Sequence, residues 1–281
     1  MTRFEGALLG LVALLIGAGA VARQHAEGAP TPVSAAPPST PGLQAPTISA
    51  PVIVKPGPNH PFPLGQTLIY SGVWRIFDAG TATVHMEQAG AGMRVVGTAN
   101  ATSAVALLYH VHDHYESLFD QRTFCSQTTS RRIEEGFRRG ETNITFDYAR
   151  GKSVLEQKNL KKNETKIAEH NIPNCVTDVL SGIFYAASLP LQTGQVYSFP
   201  LNDGGDTLYV NVHVEARELI KTPAGTFNTI RVQPETSSGL LKEKGKIWIW
   251  YSDDAARIPV QARVHLYWGM LTFTLQRIDK R

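Results

Sequence analysis

From Phe62 to Arg281 the chain is a succession of short segments in which apolar and polar residues tend to alternate. Gly, Asn, Asp or Pro interrupts these segments about every 8–15 residues, a spacing typical of strands joined by turns. Turns this short require antiparallel neighbours, because parallel crossovers need roughly a dozen residues. A sheet with so many strands must curl or split to bury its apolar face. The sequence therefore predicts a mostly β fold with a large curved antiparallel sheet, either an open β-barrel or a sandwich.

One segment departs from this pattern and predicts an amphipathic helix. Thr177–Leu189 begins with two residues that commonly cap helices, and Pro190 ends it. Its apolar residues recur at helical spacing. They are Val179, Leu180, Ile183, Phe184 and Ala187. A shorter helical turn is expected at Ser103–Leu108. Two helices cannot cover a dozen strands, so we expect the longer one to pack on the concave side of the sheet as a plug or lid.

The N-terminal residues have the features of an export signal. Arg3 precedes an uncharged apolar run at residues 7–18, and Ala20-Val21-Ala22 matches the small-x-small cleavage pattern. Residues 1–22 are therefore predicted to be a signal peptide, which implies a periplasmic protein. The alternative is an uncleaved inner-membrane anchor, because the uncharged run Gly6–Ala22 reaches 17 residues. Only that alternative associates the protein with a membrane.

Residues 23–61 are predicted to be a disordered, Pro-rich linker. Ten of the 17 prolines lie between Pro30 and Pro61, among Ala, Ser, Thr and Gly. Proline lacks the backbone donor that helices and sheets need, and the segment has little to bury. We therefore place a single β-rich domain at residues 62–281.

Several segments of that domain resemble an uncharacterised bacterial family, the domain of unknown function 3108. They include PFPLGQTLIYSGVWRIFDAGTATV from Pro61, RRGETNITFDYARGK from Arg138, and GKIWIWYSDDAARIPVQARV from Gly245. The resemblance extends over nearly all of residues 61–281. It implies an exported, β-rich envelope protein and implies no activity. The predicted fold is also similar, by analogy only, to the open barrels of periplasmic lipoprotein carriers.

The chain has two cysteines, Cys125 and Cys175. In an oxidising compartment an even pair usually forms a disulfide. Closing a loop of this length would stabilise the fold by about 4 kcal/mol in the chain-entropy model. The alternative is a redox pair, which is disfavoured because the C-x-x-C spacing that lowers a thiol pKa is absent.

His110, His112 and His114 recur at every second residue, so a strand would place them on one face. Three imidazoles can bind zinc or copper. Residues that share a face of one strand are, however, about 7 Å apart at successive positions. The outer two are then too distant to share a metal without a bend, so three exposed strand residues are the favoured interpretation.

Aromatic residues are concentrated near the C-terminus, at Trp248, Trp250, Tyr267 and Trp268. Trp248 and Trp250 share one face of a strand, and isoleucines occupy the other. A strand that is apolar on both faces is buried, or it lines an apolar cavity on one side. Together with Ile183 and Phe184 of the helix, these aromatics are candidates for lining a groove, although core packing is the default interpretation.

The net charge of the whole chain is only +3, which gives no support for an extended nucleic-acid surface. Residues 131–170 contain ten Lys or Arg and seven Asp or Glu, so this region alone carries +3. It is interpreted either as a pair of solvated hairpins with cross-strand Glu–Arg pairs, which is favoured, or as a surface for anionic lipid or polymer.

We find no motif for a serine hydrolase, a zinc protease, or a nucleotide-binding loop, so no catalytic residue and no cofactor are assigned. An enzyme is disfavoured without being excluded. The leading hypothesis is a protein that binds a hydrophobic, lipid-like ligand in a groove of the curved sheet. The alternatives are a scaffold for an envelope protein or anionic polymer, and a metal-binding protein built on the histidines.

Overall fold

The computed structural model describes residues 51–57, 60–236, 246–266 and 269–280. The predicted signal peptide, most of the predicted linker, and the groove candidates Tyr267 and Trp268 lie outside the described residues.

The domain is built on one antiparallel sheet of fourteen strands, as predicted. The strands are β1 Gln66–Trp74, β2 Phe77–Ala89, β3 Gly92–Ala101, β4 His112–Asp120, β5 Ser126–Glu135, β6 Arg138–Asp147, β7 Lys152–Asn159, β8 Glu164–Asn171, β9 Val196–Leu201, β10 Leu208–Thr222, β11 Gly225–Thr236, β12 Lys246–Ser252, β13 Pro259–Leu266 and β14 Gly269–Lys280. Nearly every strand pairs with its neighbour in sequence, and β1 also pairs with β14. Short turns between consecutive strands produce this arrangement.

The sheet is not closed into a barrel, since β8 and β9 form its two edges. The segment that follows β8 covers the gap between them. The N–H of Thr177 donates to the carbonyl of Pro200 in β9 (3.0 Å), and the N–H of Ser126 in β5 donates to the carbonyl of Val176 (2.9 Å). Gly204, in the loop after β9, packs so closely on Leu155 and Ile144 that a Cβ atom there would lie 2.8 and 3.0 Å from them. The curled sheet is therefore sealed by loops instead of strand pairing.

Two helices are present in the described residues, where the sequence predicts them: α1 at Ser103–Ala106 and α2 at Val179–Ser188. Helix α2 begins with a capping box. The carboxyl of Asp178 accepts from the N–H of Ser181, and the Ser181 hydroxyl in turn accepts from the N–H of Asp178. This reciprocal pairing satisfies two backbone donors that a helix start would otherwise leave unpaired. The helix ends before Leu189, whose extended backbone leads into Pro190.

The main hydrophobic core lies between α2 and the inner face of the sheet. Buried side chains from both sheet ends pack here with Leu180, Phe184 and Tyr185 of the helix. A smaller core of Ile144, Phe146, Ile172 and Val176 lies under β6 and the segment before α2. Burial of this apolar surface is the dominant stabilising term of such a domain.

Cys125 and Cys175 form the predicted disulfide, with their Cα atoms 5.0 Å apart. Cys125 immediately precedes β5, and Cys175 lies in the segment that leads into α2. The bond therefore fixes the start of the helix to the wall of the sheet.

Candidate functional site

Helix α2 is held at its N-terminus by a buried polar cluster centred on Asp178. This carboxyl accepts hydrogen bonds from the hydroxyls of Ser117 in β4 and Ser126 in β5, both at 2.5 Å. It also accepts from the N–H of Leu180 at 2.8 Å. All of these side chains are buried, and each donor is satisfied by the same carboxyl. The cluster thereby fixes both the position of the helix and the direction in which it leaves the wall.

A second anchor holds the middle of the helix. The Tyr251 hydroxyl in β12 donates to the carbonyl of Ile183 at 2.8 Å. Burial raises the pKa of Tyr251 well above its usual range, so its hydroxyl remains a neutral donor. The N–H of Val54 also donates to the hydroxyl of Tyr185 at 2.9 Å. Helix α2 is thus fixed along its length.

An apolar trough runs beside α2 and is formed by two open pockets that meet at Ile183 and Ile249. Residues lining the first include Tyr70, Ala82, Val84, Leu180, Phe184, Ala262 and Phe273. Residues lining the second include Val179, Gly182, Ala186, Phe199, Val210, Val212, Val232, Ile247 and Tyr251. The two pockets have volumes of about 90 and 80 Å³. They form an open, narrow channel with almost wholly apolar walls.

The helix contributes an unusual face to this trough. Most residues of α2 are buried, but Val179 and Ile183, one turn apart, remain only partly covered. A helix on a protein surface normally presents polar residues to water. Here the uncovered side of α2 is aliphatic and faces aliphatic strands. Such an apolar surface is typical of a binding site.

The other part of the inner face contains a buried pair of carboxyl groups. Asp113 in β4 and Glu135 at the end of β5 are each about 1% exposed, and each carboxyl influences the pKa of the other. Burial, together with the charge of Asp113, raises the pKa of Glu135 to about 8. Burial likewise raises the pKa of Asp113. At neutral pH Glu135 is therefore largely protonated, and the pair carries at most about one negative charge.

Cationic side chains surround this pair. The guanidinium of Arg138 lies 3.7 Å from a Glu135 oxygen. Arg131, on the same face of β5, has its pKa lowered by burial, while Tyr115, Asp203 and Glu135 oppose that shift. Arginine stays protonated despite such a shift. At this end of the sheet the carboxyl pair and Asp203, whose pKa is also raised by burial, thus stand against two arginines.

The tips of two hairpins, β5–β6 and β7–β8, form a basic groove of about 460 Å³. It is lined by Arg131, Arg138, Arg139, Lys158, Lys161, Lys162 and Lys166, against which stand only Glu141 and Glu164. Cross-strand pairs partly neutralise its outer side, for example Arg132 with Glu141 at 3.2 Å. This volume lies within the range of about 300–1,000 Å³ that small-molecule sites usually have.

The basic groove and the apolar trough are connected through a smaller pocket. That pocket shares Arg131 and Thr142 with the groove, and it shares Val179 and Leu180 with the trough. One inner surface therefore changes from basic to apolar between the hairpin tips and helix α2.

Two of the six predicted groove residues line the trough: Ile183 and Phe184. The assignment of Trp248 and Trp250 needs correction. Strand β12 turns its isoleucine face towards helix α2, so the tryptophan side chains lie on the other face of the sheet. The indole N–H of Trp250 donates to Glu218 at 3.0 Å, and the guanidinium of Arg263 lies over its ring. Ile247 and Ile249, not the tryptophans, face the trough.

The three candidate metal ligands do not converge. His110, His112 and His114 are all exposed, and the rings of the first two lie 6.5 Å apart. His112 instead contacts the amide oxygen of Asn100 at 2.6 Å. Across the described ranges, no group of three or more His, Cys, Asp or Glu side chains is arranged to hold a metal ion.

Sequence reasoning missed the Asp113–Glu135 pair, although part of the signal was present. Asp113, Tyr115, Ser117 and Phe119 occupy alternate positions of β4, so a strand places Asp113 on the buried face. Its partner lies 22 residues further on, and only strand pairing brings the two together.

Comparison with protein families finds a match over residues 68–276 to a family described as "Protein of unknown function (DUF3108)". No match was found among curated proteins.

Among solved structures, the chain is similar to a beta-barrel-like protein of the domain of unknown function DUF1849 from Brucella abortus. The two share 9% identity with a TM-score of 0.54, over 83% of this chain and 100% of the other. At this identity the likeness concerns the fold alone.

Two further structures align with lower scores. One, from Bacteroides fragilis, is provisionally described as an exported protein with a YmcC-like fold, with 11% identity and a TM-score of 0.32 over 78% of this chain and 98% of that one. The other, provisionally described as a lipoprotein, is from Parabacteroides distasonis, with 11% identity and a TM-score of 0.31 over 78% and 97%. Within the described residues, neither helix has the length and apolar character needed to cross a bilayer.

Proposed function

The chain belongs to the DUF3108 family of proteins of unknown function, and from that premise we propose that it is an exported, non-enzymatic protein of the bacterial envelope that binds a hydrophobic, lipid-like molecule in the trough beside α2. The observation that carries this proposal is the partly covered aliphatic side of α2. Val179 and Ile183 face apolar strands across an open channel. Water in contact with such walls is unfavourable, and an apolar ligand would replace it.

The dimensions of the trough favour an extended ligand over a compact one. Its two parts, of about 90 and 80 Å³, are smaller than the roughly 300–1,000 Å³ of pockets that enclose a compact molecule. A thin, flexible chain can lie along both parts and pass the side chain of Ile183. Because α2 is anchored at Asp178 and at the carbonyl of Ile183, we infer that ligand enters along the open side without the helix swinging away.

A periplasmic location is part of the proposal. It is supported by the export features of residues 1–22 and by the Cys125–Cys175 disulfide, since such bonds persist in oxidising compartments.

The experiment begins with the full chain purified from its native host, solvent extraction, and mass spectrometry of the extract. The delipidated protein is then titrated with methyl oleate as an uncharged probe. We expect an apolar molecule in the extract, and we expect Ile183→Glu to weaken methyl oleate binding at least tenfold, because the new carboxylate would be buried by the ligand.

Ile167→Glu is the matched control, because Ile167 lies on β8 outside the trough and is 70% exposed. It should leave the dissociation constant unchanged. Absence of any extracted apolar molecule, together with equal binding by both variants, would overturn the proposed function.

A further inference from the structure

The basic groove at the hairpin tips is not explained by a purely apolar ligand. Four of its cations are lysines, and Lys158, Lys161, Lys162 and Lys166 form no ion pair with any carboxylate in the described part of the chain. The ammonium of Lys161 instead lies 5.3 Å from the ring centre of Phe137. Uncompensated cations around a concavity of this size create a positive potential that attracts anions.

Strand register places part of this charge on the same face as the helix. A row of directly paired residues crosses five strands from β4 to β8. The row is Tyr115, Arg131, Thr142, Gln157 and Lys166. The neighbour of Tyr115 on β3 is Gly97, and a Cβ there would lie 3.7 Å from Leu180 of α2. Arg131 and Lys166 therefore belong to the inner surface that α2 occupies.

The spacing of the strands gives the scale of this surface. Neighbouring strands are about 4.8 Å apart, so along the sheet Arg131 on β5 is roughly 10 Å, and Lys166 on β8 roughly 24 Å, from the strand beneath Leu180. Because the sheet curls, the straight-line distance across its inner face is shorter. A single molecule with a chain and a polar end can span that distance. The smaller pocket shares lining residues with the groove and with the trough, so the two sites are adjacent on this surface.

The protonation of the carboxyl pair also helps to keep the charge near the groove positive. Asp113 and Glu135 lie close to Arg138, where two ionised carboxylates would cancel much of the basic charge. Because Glu135 is largely protonated at neutral pH, the pair carries at most about one negative charge, and the inner surface near the groove stays positive.

We propose that the ligand is an anionic amphiphile, whose charged headgroup is bound by Arg138 and Lys166 with help from Lys161 and Lys162, while its apolar chain lies in the trough beside α2. This inference rests on the proposed function and specifies its ligand class. The headgroup class is a carboxylate or phosphate, for which arginine and lysine are the usual partners.

The test compares oleate with methyl oleate, which share a chain and differ in the charge of the headgroup. Binding of each is measured with the delipidated full chain and with the double variant Arg138→Gln/Lys166→Gln. We expect the unmodified protein to bind oleate at least tenfold more tightly than the ester. The double variant should lose that preference and leave binding of the ester within twofold.

Arg122→Gln/Lys280→Gln is the matched control, since both residues are exposed and outside the groove and the same two charges are removed. It should bind oleate as the unmodified protein does. Circular dichroism and thermal unfolding of each variant show that the fold is retained.

The possible results separate the two proposals. Binding of both ligands without preference for oleate, or an unchanged preference in the double variant, overturns the headgroup site and leaves the trough standing. Failure of the unmodified protein to bind either ligand overturns the proposed function as well. Tight binding of inorganic polyphosphate that is lost in the double variant, while oleate binding persists, overturns the headgroup assignment in favour of a polyanion site.

Discussion

The inner face of the sheet differs between two regions that the same fold joins. The apolar half, β9–β14 with β1–β3, presents aliphatic and aromatic side chains such as Val212, Ile230 and Leu275. The charged half, β4–β8, contains both buried strand carboxyls, Asp113 and Glu135. No buried Asp or Glu lies in the described strands of the apolar half.

The two halves of the inner face contribute differently to the stability and the geometry of the fold. Apolar burial in the first half supplies most of the stabilisation, because each buried aliphatic side chain contributes roughly 1.5–3 kcal/mol. Buried polar groups in the second half contribute little net stability but demand defined partners, which fixes geometry. Helix α2 stands at the junction, with its cap bonded to β4 and β5 and its body packed on the apolar half. Residues of the apolar half therefore mainly stabilise the fold, and polar residues of the charged half mainly orient helix α2.

The largest effect is expected where the halves are joined, at Asp178. Asp178→Ala removes the helix cap and leaves the buried hydroxyls of Ser117 and Ser126 without their acceptor. Loss of a cap and of buried hydrogen bonds should lower the free energy of unfolding by about 2–4 kcal/mol. Urea unfolding at neutral pH, with the disulfide intact, measures this change.

Asp147→Ala is the control for Asp178, because Asp147 accepts a hydrogen bond only from the N–H of Arg150 in an exposed turn. Asp147→Ala should lower the free energy of unfolding by only about 0.5 kcal/mol. Equal costs for the two variants would show that the junction has no special role.

The second prediction concerns the charged half and the pH dependence of stability. Glu135 has a pKa of about 8 in the folded protein, against an ordinary value of 4.5. Between these values the folded state holds a proton that the unfolded state has lost. Raising the pH through this window therefore favours unfolding, so the protein should be more stable at pH 5 than at pH 8.5.

Glu135→Gln should remove most of this pH dependence of the unfolding free energy and raise stability at pH 8.5, because the buried amide stays neutral at every pH. The groups that face this site are Asp113, Tyr109, Tyr115, Arg131 and Arg138. Glu156→Gln, at an exposed position of β7, should retain the full slope. Urea unfolding across pH 5–8.5 distinguishes the variants, and an unchanged pH dependence in Glu135→Gln would contradict the raised pKa of Glu135.

The smallest effect is expected on the outer face of the apolar half. Trp250→Phe removes the hydrogen bond to Glu218 and should cost about 1 kcal/mol in unfolding free energy. Since Trp250 faces away from α2, binding of methyl oleate should stay within twofold. A tenfold loss of binding in this variant would return the tryptophan to the ligand site.

Local signals in the sequence were sufficient to predict the strands and the longer helix of the fold. Alternation predicted the strands, and the capping residues Thr177 and Asp178 with Pro190 predicted α2 to within two residues of its observed ends. These features depend on backbone geometry over a few residues, and tertiary packing rarely overrides them when they agree.

The inner and outer faces of a strand could not be assigned in the same way. Alternation shows that Trp248 and Trp250 share one face and that Ile247 and Ile249 share the other, but both pairs are apolar. Which face meets the helix depends on how the whole sheet curls. Tyr251 continues the alternation of Ile247 and Ile249, so it lies on the same face as the isoleucines and reaches α2. The irregularity in this pairing lies on the partner strand β13, where Val260 is the extra residue between Pro259 and Gln261.

The sequence by itself determined that this chain forms hairpins in succession, one helix long enough to plug them, and a disulfide, because each follows from local pattern or from cysteine number. Only the tertiary structure decided that Asp113 meets Glu135, that Arg131 and Lys166 share a surface with α2, and that the trough is lined by isoleucines. These are contacts between residues distant in sequence, and their existence depends on strand register and sheet curvature, which no short window of residues specifies.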